Sequence, residues 1–326
     1  MNQDTLNIND VFPLSGVPSV TFVEPVQYSR LKSALLAPGR GILIEGPSGI
    51  GKTTAVLRAI DELGLSSSVL ELSARKSGDI DTIRSIPGSS NQGFVLIDDI
   101  HRLNSEDLRN IADHLKILAD EGRRDTKLVI LGINKTGESL ISFGRDTAAR
   151  LEVIRFQREP DHHLNKVITQ GQKELNVSIG NAEEIIKAAN GSFNLVQLMR
   201  HESCLAANII YKTDGPAREL NQSFELVNGR ILDRFAAEFH RPVLNFVRGN
   251  KLRREGRAPY LHLLKWLGES DSWTIDVERE MQVHTNLRGS INQVIKKGYL
   301  EEHIEKESTG VSDLIHYDTQ TRTLAI

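Results

Sequence analysis

Residues 46–53, Gly46-Pro47-Ser48-Gly49-Ile50-Gly51-Lys52-Thr53, fit the pattern G-x-x-x-x-G-K-[ST]; they directly follow the apolar run GILIE and open the helical stretch TTAVLRAI. Glycines at these spacings let the backbone curl until the amides of Gly49, Ile50, Gly51 and Lys52 face phosphate oxygens. The following helix adds its positive N-terminal end. Gly46, Pro47, Ser48 and Thr54 complete the expected binding loop. Lys52 is placed to neutralise the β- and γ-phosphates, and the Thr53 hydroxyl to ligate Mg²⁺, a hard cation that prefers oxygen donors. The alternative is a fortuitous glycine turn.

A second chemical signal is Phe94-Val-Leu-Ile-Asp98-Asp99, an apolar run ending in two acids. Burial on both faces accounts for the run. Acids at its carboxyl end, where open α/β sheets bind ligands, call for chemistry. Asp98 is expected to hold Mg²⁺ through water and Asp99 to polarise the water that attacks; capping of the next helix is the structural alternative for the pair. Asn134, at the end of KLVILGI, offers an amide for the γ-phosphate or the attacking water, or else serves a turn before Lys135. Arg145 and Arg150, in FGRDTAARLEVIRF, could each reach a γ-phosphate in a neighbouring subunit, or form solvated salt bridges.

The elements that must carry these residues are legible as alternating short apolar runs and helical stretches, the pattern of a parallel sheet covered by helices. Strands are expected at 41–45, 69–72, 94–98, 127–133 and 153–156, with helices at 53–63, 80–86, 105–120 and about 137–151. An arm rich in turns precedes them and leads into a helix at 26–36 that Pro38-Gly39 stops. After Pro160 the chain is expected to be helical at 161–175, 182–189 and 193–211, with no strand. A turn-rich break at 212–216 opens a third region with helices at 220–247, 259–267, 275–281 and 287–297, then strands at 299–304, 314–317 and 323–326. Helices followed by a β-hairpin point to a winged helix. The expected domains are an arm, 1–39; a phosphate-binding core, 40–158; a helical lid, 159–215; and the winged helix, 216–326.

Composition narrows the class. With 326 residues, 39% hydrophobic and 25% charged, the chain can bury a large core, which excludes disorder and collagen-like repeats. Forty Lys and Arg against 43 Asp and Glu leave a net charge of −3, so no global basic field advertises nucleic acid or a membrane. Charge is nonetheless segregated: residues 241–300 hold 11 basic and 6 acidic side chains. Duplex DNA is therefore a candidate partner through residues 248–297, where Arg288, Asn292, Gln293, Lys296 and Lys297 could face bases and phosphates. The expected wing, EEHIEKESTGVSD, is acidic and argues against DNA; packing of this module on the core is the competing use. Trp266 and Trp273 are expected in the core, and the histidines, His162 and His163 among them, to lack carboxylate partners. The single Cys204 makes no internal disulfide, no Cys/His cluster has zinc spacing, and no apolar run approaches the roughly 20 residues of a spanning helix. A cytoplasmic protein with no membrane contact is expected, and the apolar ending TLAI points to a truncated C-terminus.

The phosphate loop, FVLIDD, LGINKTG, the ending Arg150-Leu-x-x-Ile-x-Phe and the helical region behind them resemble the AAA+ ATPases over about residues 20–210, with origin-recognition and bacterial transposition ATPases similar in layout. That resemblance implies an α/β P-loop NTPase fold with a parallel sheet of order 5-1-4-3-2. It also implies ATP and Mg²⁺ bound between sheet and lid, and assembly that lends one subunit's arginine to the next. Adenine comes from the resemblance too, since INKTG lacks the aspartate of the guanine-reading N-K-x-D. Two departures matter: Asp99 stands where glutamate is usual, which implies slow hydrolysis, and Gly191-Ser-Phe-Asn194-Leu-Val-Gln has no sensor arginine before Arg200. GSFNLVQL looks like the lid of the STAND NTPases, which implies an oligomerising switch in bacterial defence, antiviral included, or signalling, with a separate effector as partner. The other expectation is a DNA-bound loader or a regulator of transposition or replication.

Overall fold

The computed structural model describes residues 6–65, 69–88, 93–123, 126–133, 140, 150–249, 258–270, 272–319 and 321–326. They form two compact units, Met1–Ile231 and Leu232–Ile326.

The first unit is built on five parallel strands: β1 (Gly41–Glu45), β2 (Val69–Ser73), β3 (Gly93–Asp98), β4 (Thr126–Gly132) and β5 (Leu151–Arg155). Their order is β2-β3-β4-β1-β5, as the AAA+ resemblance implies. Alternation along a strand sends successive side chains to opposite faces, so the central strands are apolar through their middles, with buried polar residues only at their ends, Glu45 of β1 and Thr126 and Lys127 of β4. In β1, Ile42 and Ile44 pack with Leu31, Val56 and Ile60 of α2 (Tyr28–Leu36) and α3 (Lys52–Glu62). Leu43 turns the other way, toward Ile111 and Leu115 of α5 (Ser105–Asp120). Helix α5 starts where Asn104 accepts a hydrogen bond from the Asp107 amide at 2.8 Å, an N-cap. Helix α4 (Ser77–Ser85) follows β2. The helix expected at 137–151 falls almost wholly outside the described residues, and Leu151 belongs to β5.

Behind the sheet come α6 (Asp161–Leu175), α7 (Ala182–Ala189) and α8 (Phe193–Ala206). The arm is more than a string of turns: Ile8 and Val11, in the short helix α1 (Ile8–Val11), and Phe12 are buried in the same core as Leu164, Ile168 and Val196. Two expectations fail in this region. Helix α8 stops at Ala206, and Tyr211 instead bridges Asn7. A strand pair is present after Pro160, because β6 (Val177–Ile179) lies parallel to β7 (Arg218–Leu220). Three residues are too few to show a period of two, and the turn that sets the pair up depends on the Asn176 side chain, which donates to Thr213 O and Gly215 O. His163 also has a carboxylate partner: its Nδ1 lies 2.6 Å from Glu159 Oε2, and burial pushes the Glu159 carboxyl up.

Helix α9 (Phe224–Arg248) runs into the second unit, which continues with α10 (Pro259–Glu269), β8 (Thr274–Asp276), α11 (Val277–Val283), α12 (Arg288–Lys296), α13 (Tyr299–Glu305), β9 (His316–Asp318) and β10 (Thr323–Ala325). Leu263, Trp266, Ile291, Leu300 and Leu324 share its core. Trp273 is half-buried in a turn. Residues 299–304, expected as a strand, are helical. Gly298, at φ 67°, ends α12, and Leu300, His303 and Ile304 are then buried at the i, i+3, i+4 spacing of a helix face. The start of the expected 275–281 helix is β8, whose last residue, Asp276, caps α11. The antiparallel sheet has the order β8-β10-β9, so the hairpin joins 316–318 to 323–325 and the acidic stretch lies ahead of it. Among the described residues, no helix is long and apolar enough to cross a membrane.

Candidate functional site

The phosphate loop leaves the buried end of β1. Gly46 has no room for a side chain, since a Cβ there would sit 2.4 Å from the Phe156 carbonyl oxygen. Gly51 caps α3 at φ 93°, in the left-handed region that favours glycine. Lys52 then folds back over the loop, its Nζ donating to Gly46 O and Pro47 O, each at 2.8 Å. Burial lowers this ammonium to about 8, against the pull of Asp98 and Asp99.

Strand order brings the second signal to the first. The carboxyl ends of β1 and β3 flank β4, so the start of α3 and the end of β3 face one cleft. Thr53 Oγ1 donates to Asp98 Oδ2 at 2.9 Å, and Asp98 Oδ1 accepts the Asp99 amide at 2.7 Å. Asp99 stands at φ 57°, makes no side-chain cap to the turn that follows, and turns its carboxylate toward β2. There Arg75 Nε lies 2.8 Å and Ser73 Oγ 3.3 Å from Asp99 Oδ2. Neither Ser73 nor Arg75 stood out in the sequence. The signal that could have found them is their position, at and just past the carboxyl end of a strand neighbouring β3.

Lys52, Thr53, Arg75, Asp98 and Asp99 line a cleft of about 390 Å³ together with Ser48, Gly49, Gly51 and Thr54. Gly46, Pro47 and Ile50 shape the loop from beneath; Ile50 is buried. Two further walls come from outside the phosphate-loop and FVLIDD motifs. The arm supplies Pro13, Pro18, Thr21 and Val23, and the lid supplies Phe193, Asn194 and Gln197. The lid rests directly on the loop: Ser192 Oγ and the Asn194 amide both donate to Gly49 O, at 3.1 and 3.3 Å. Asn194, where a sensor arginine was sought, thus brings a neutral amide to the cleft. Arg200 is fully buried in α8 and bonds Asn181. Arg150 does not line the cleft; it pairs with Asp120 at 2.8 Å. Asn134 and Arg145 lie outside the described residues.

The donor set fits a magnesium-bound triphosphate. A hydroxyl and a carboxylate, both hard oxygen donors, meet beside a half-buried lysine at a helix N-terminus. Residues 42–158 match the model of the ATPase family associated with various cellular activities (AAA). The parallel sheet and its strand order are those of an AAA+ P-loop NTPase fold. None of the curated proteins matches the chain. Among solved structures, the chain is similar to the RuvB Holliday junction branch migration motor of Thermotoga maritima, at 19% identity over 76% of this chain and 86% of that one, with a TM-score of 0.46. It is similar to domain III of the replication initiation protein DnaA of Thermotoga maritima, at 18% identity over 62% and 90%, with a TM-score of 0.41. It is also similar to the ORC2 protein of Aeropyrum pernix, at 13% identity over 97% and 92%, with a TM-score of 0.46. These likenesses fix no residue's role.

The Lys52 geometry sets a pH dependence for the AAA segment. An amine lowered to about 8 is charged below that pH and neutral above it. Affinity for a triphosphate is therefore expected to be level on the acid side and to fall up to about tenfold per pH unit above it. Titration calorimetry across that range checks this; a level affinity well past the transition contradicts it. The stability of the ligand-free fold moves the other way, because the unfolded lysine still binds its proton between the shifted and the ordinary value.

Proposed function

We propose that the chain binds ATP with Mg²⁺ and hydrolyses it slowly, as an oligomerising switch. The observation that carries this is the convergence of Lys52, Thr53, Asp98 and Asp99 on one cleft, with Thr53 Oγ1 and Asp98 Oδ2 2.9 Å apart. In this reading Lys52 exchanges the carbonyls of Gly46 and Pro47 for phosphate oxygens. Thr53 and Asp98 would hold Mg²⁺, which supplies charge neutralisation at the phosphates when bound. Asp99, released from Arg75, orients and polarises the attacking water. Arg150, paired with the exposed Asp120, would have to exchange that partner to serve a neighbouring subunit's site, the role also proposed for Arg145. The functional division follows the arm at 1–39, the core at 40–158, the lid at 159–215 and a C-terminal module at 216–326. Phosphate release from ATP, measured with and without Mg²⁺ over a range of protein concentrations, tests the proposal. Turnover that rises with assembly supports it; none at any concentration overturns it.

A second reading, duplex DNA as partner, is favoured by a specific observation. Helix α12 and the residue that caps its end expose Arg288, Gln293, Lys296 and Lys297, and the helix contains no acid. The acidic stretch that argued against DNA is not the hairpin. The succession of α10, β8, α11, α12 and then the β9–β10 hairpin supports a winged helix in which α12 enters the major groove. Binding should then weaken steeply with salt, and Lys296→Ala or Lys297→Ala should each reduce the slope of log K against log salt by about 1. Binding that ignores salt, or slopes unchanged in both variants, removes α12 from the interface. The bacterial defence or signalling setting rests on the sequence of residues 191–198 and on no side-chain geometry.

A further inference from the structure

The cleft extends beyond the phosphate loop, and its polar groups there are few. The first turn of α8 sits on Gly49, and Gln197 follows Asn194 by three residues, about 4.5 Å farther along the helix axis. At that level Gln197 meets Thr21 of the arm, and the neighbouring walls of the cleft are apolar: Pro18, Val23 and Val167. Thr21 and Gln197 are 1% and 5% exposed, so water does not satisfy them.

Counting protons fixes which way the Gln197 amide faces. Thr21 Oγ1 donates its single proton to Val11 O at 2.6 Å. Toward Gln197 it can only accept, and it does so from Nε2 at 2.8 Å. The amide is thereby held with Oε1 turned away from Thr21. Among the described residues, Oε1 is buried and has no hydrogen-bond partner. A buried acceptor left unpaired is unfavourable, and a native fold keeps one where something else supplies the donor.

We propose that Gln197 Oε1 is the nucleobase reader of this chain, accepting a hydrogen bond from an exocyclic amino group such as adenine carries at C6, with Thr21 and Val11 as the positioning residues behind it. This rests on the triphosphate reading of the cleft. A base with a carbonyl oxygen at C6 would set two acceptors against each other beside Oε1, with no water to intervene. Selection against guanine then comes from a lid glutamine locked by the arm, and needs no loop motif of the N-K-x-D kind.

The test is titration calorimetry of the full chain with ATP and with inosine triphosphate, which carries oxygen at C6 in place of the amino group. The wild-type chain is expected to bind ATP about 10- to 100-fold more tightly. Gln197→Leu should bring the ratio close to one, mainly by weakening ATP. Thr21→Val, which keeps the glutamine and removes the hydroxyl that orients it, should also lower the ratio, and the wild-type comparison needs no variant to fold. Equal, tight binding of both nucleotides to the wild type, or a ratio untouched in a folded Gln197→Leu, overturns the base reader and leaves the triphosphate site standing. Binding of neither nucleotide removes the triphosphate site and the reader with it.

Discussion

Lys52→Ala is expected to weaken ATP binding by about 100-fold or more, to the limit of detection by calorimetry. The side chain is half-buried, and its ammonium already lies against two carbonyls of its own loop, Gly46 O and Pro47 O. Exchanging those neutral acceptors for charged phosphate oxygens strengthens each bond, and a hydrogen bond to a charged group contributes about 1.5–3 kcal/mol. Two such bonds and the loss of a positive charge at the helix start give the expected size. The fold should survive, because alanine at this position removes a charge whose burial is itself unfavourable. A variant that melts like the parent chain and binds ATP equally well would place the phosphates elsewhere.

Asp99→Asn should leave ATP binding within a few-fold and slow phosphate release by about 10²–10⁴-fold. The two acids have separable tasks. Asp98 is tied to Thr53 and to the Asp99 amide, a fixed post beside the phosphate loop. Asp99 is tied to groups outside the loop, Arg75 and Ser73, and contributes nothing to holding α3. Asparagine keeps the shape and can still accept from Ser73 and Arg75, but it cannot take up a proton from water. Unchanged turnover in this variant, measured at saturating ATP, assigns the water to another residue and refutes the role given to Asp99.

The parts of the fold that were legible are those with a strong local cause. GILIE is buried on both faces and apolar up to its last residue, Glu45, and β1 has the expected bounds. Helices α5, α6 and α7 also match theirs; α5 carries an N-cap, while α6 and α7 end on Asn176 and Asn190 in left-handed conformation. Short elements were not legible. β6 and β7 are three residues each, and residues 299–304 hold too few apolar positions to separate a period of 3.6 from one of 2. The same division runs through the site. Lys52, Thr53 and Asp98 belong to contiguous motifs that announce their chemistry. Arg75, Thr21 and Gln197 meet the cleft only through tertiary folding: the hydrogen bond between Gln197 and Thr21 joins residues 176 apart in the chain. The histidine reading failed for a simpler reason. Glu159 lies four residues before His163 but ahead of the helix proper, so the spacing alone does not mark the pair as one helix face.

Ser192 and Asn194 hold one carbonyl of the phosphate loop from the first turn of α8, and Gln197 stands on the next turn of the same helix. A helix of 14 residues moves as a rod, so its foot and its flank cannot shift independently. A shift of the Gly49 carbonyl would therefore be carried along the helix to Gln197. In the proposed ATP site, tail and head of the nucleotide would be weighed on a single beam, whose fulcrum is a backbone oxygen that no side-chain substitution at position 49 removes.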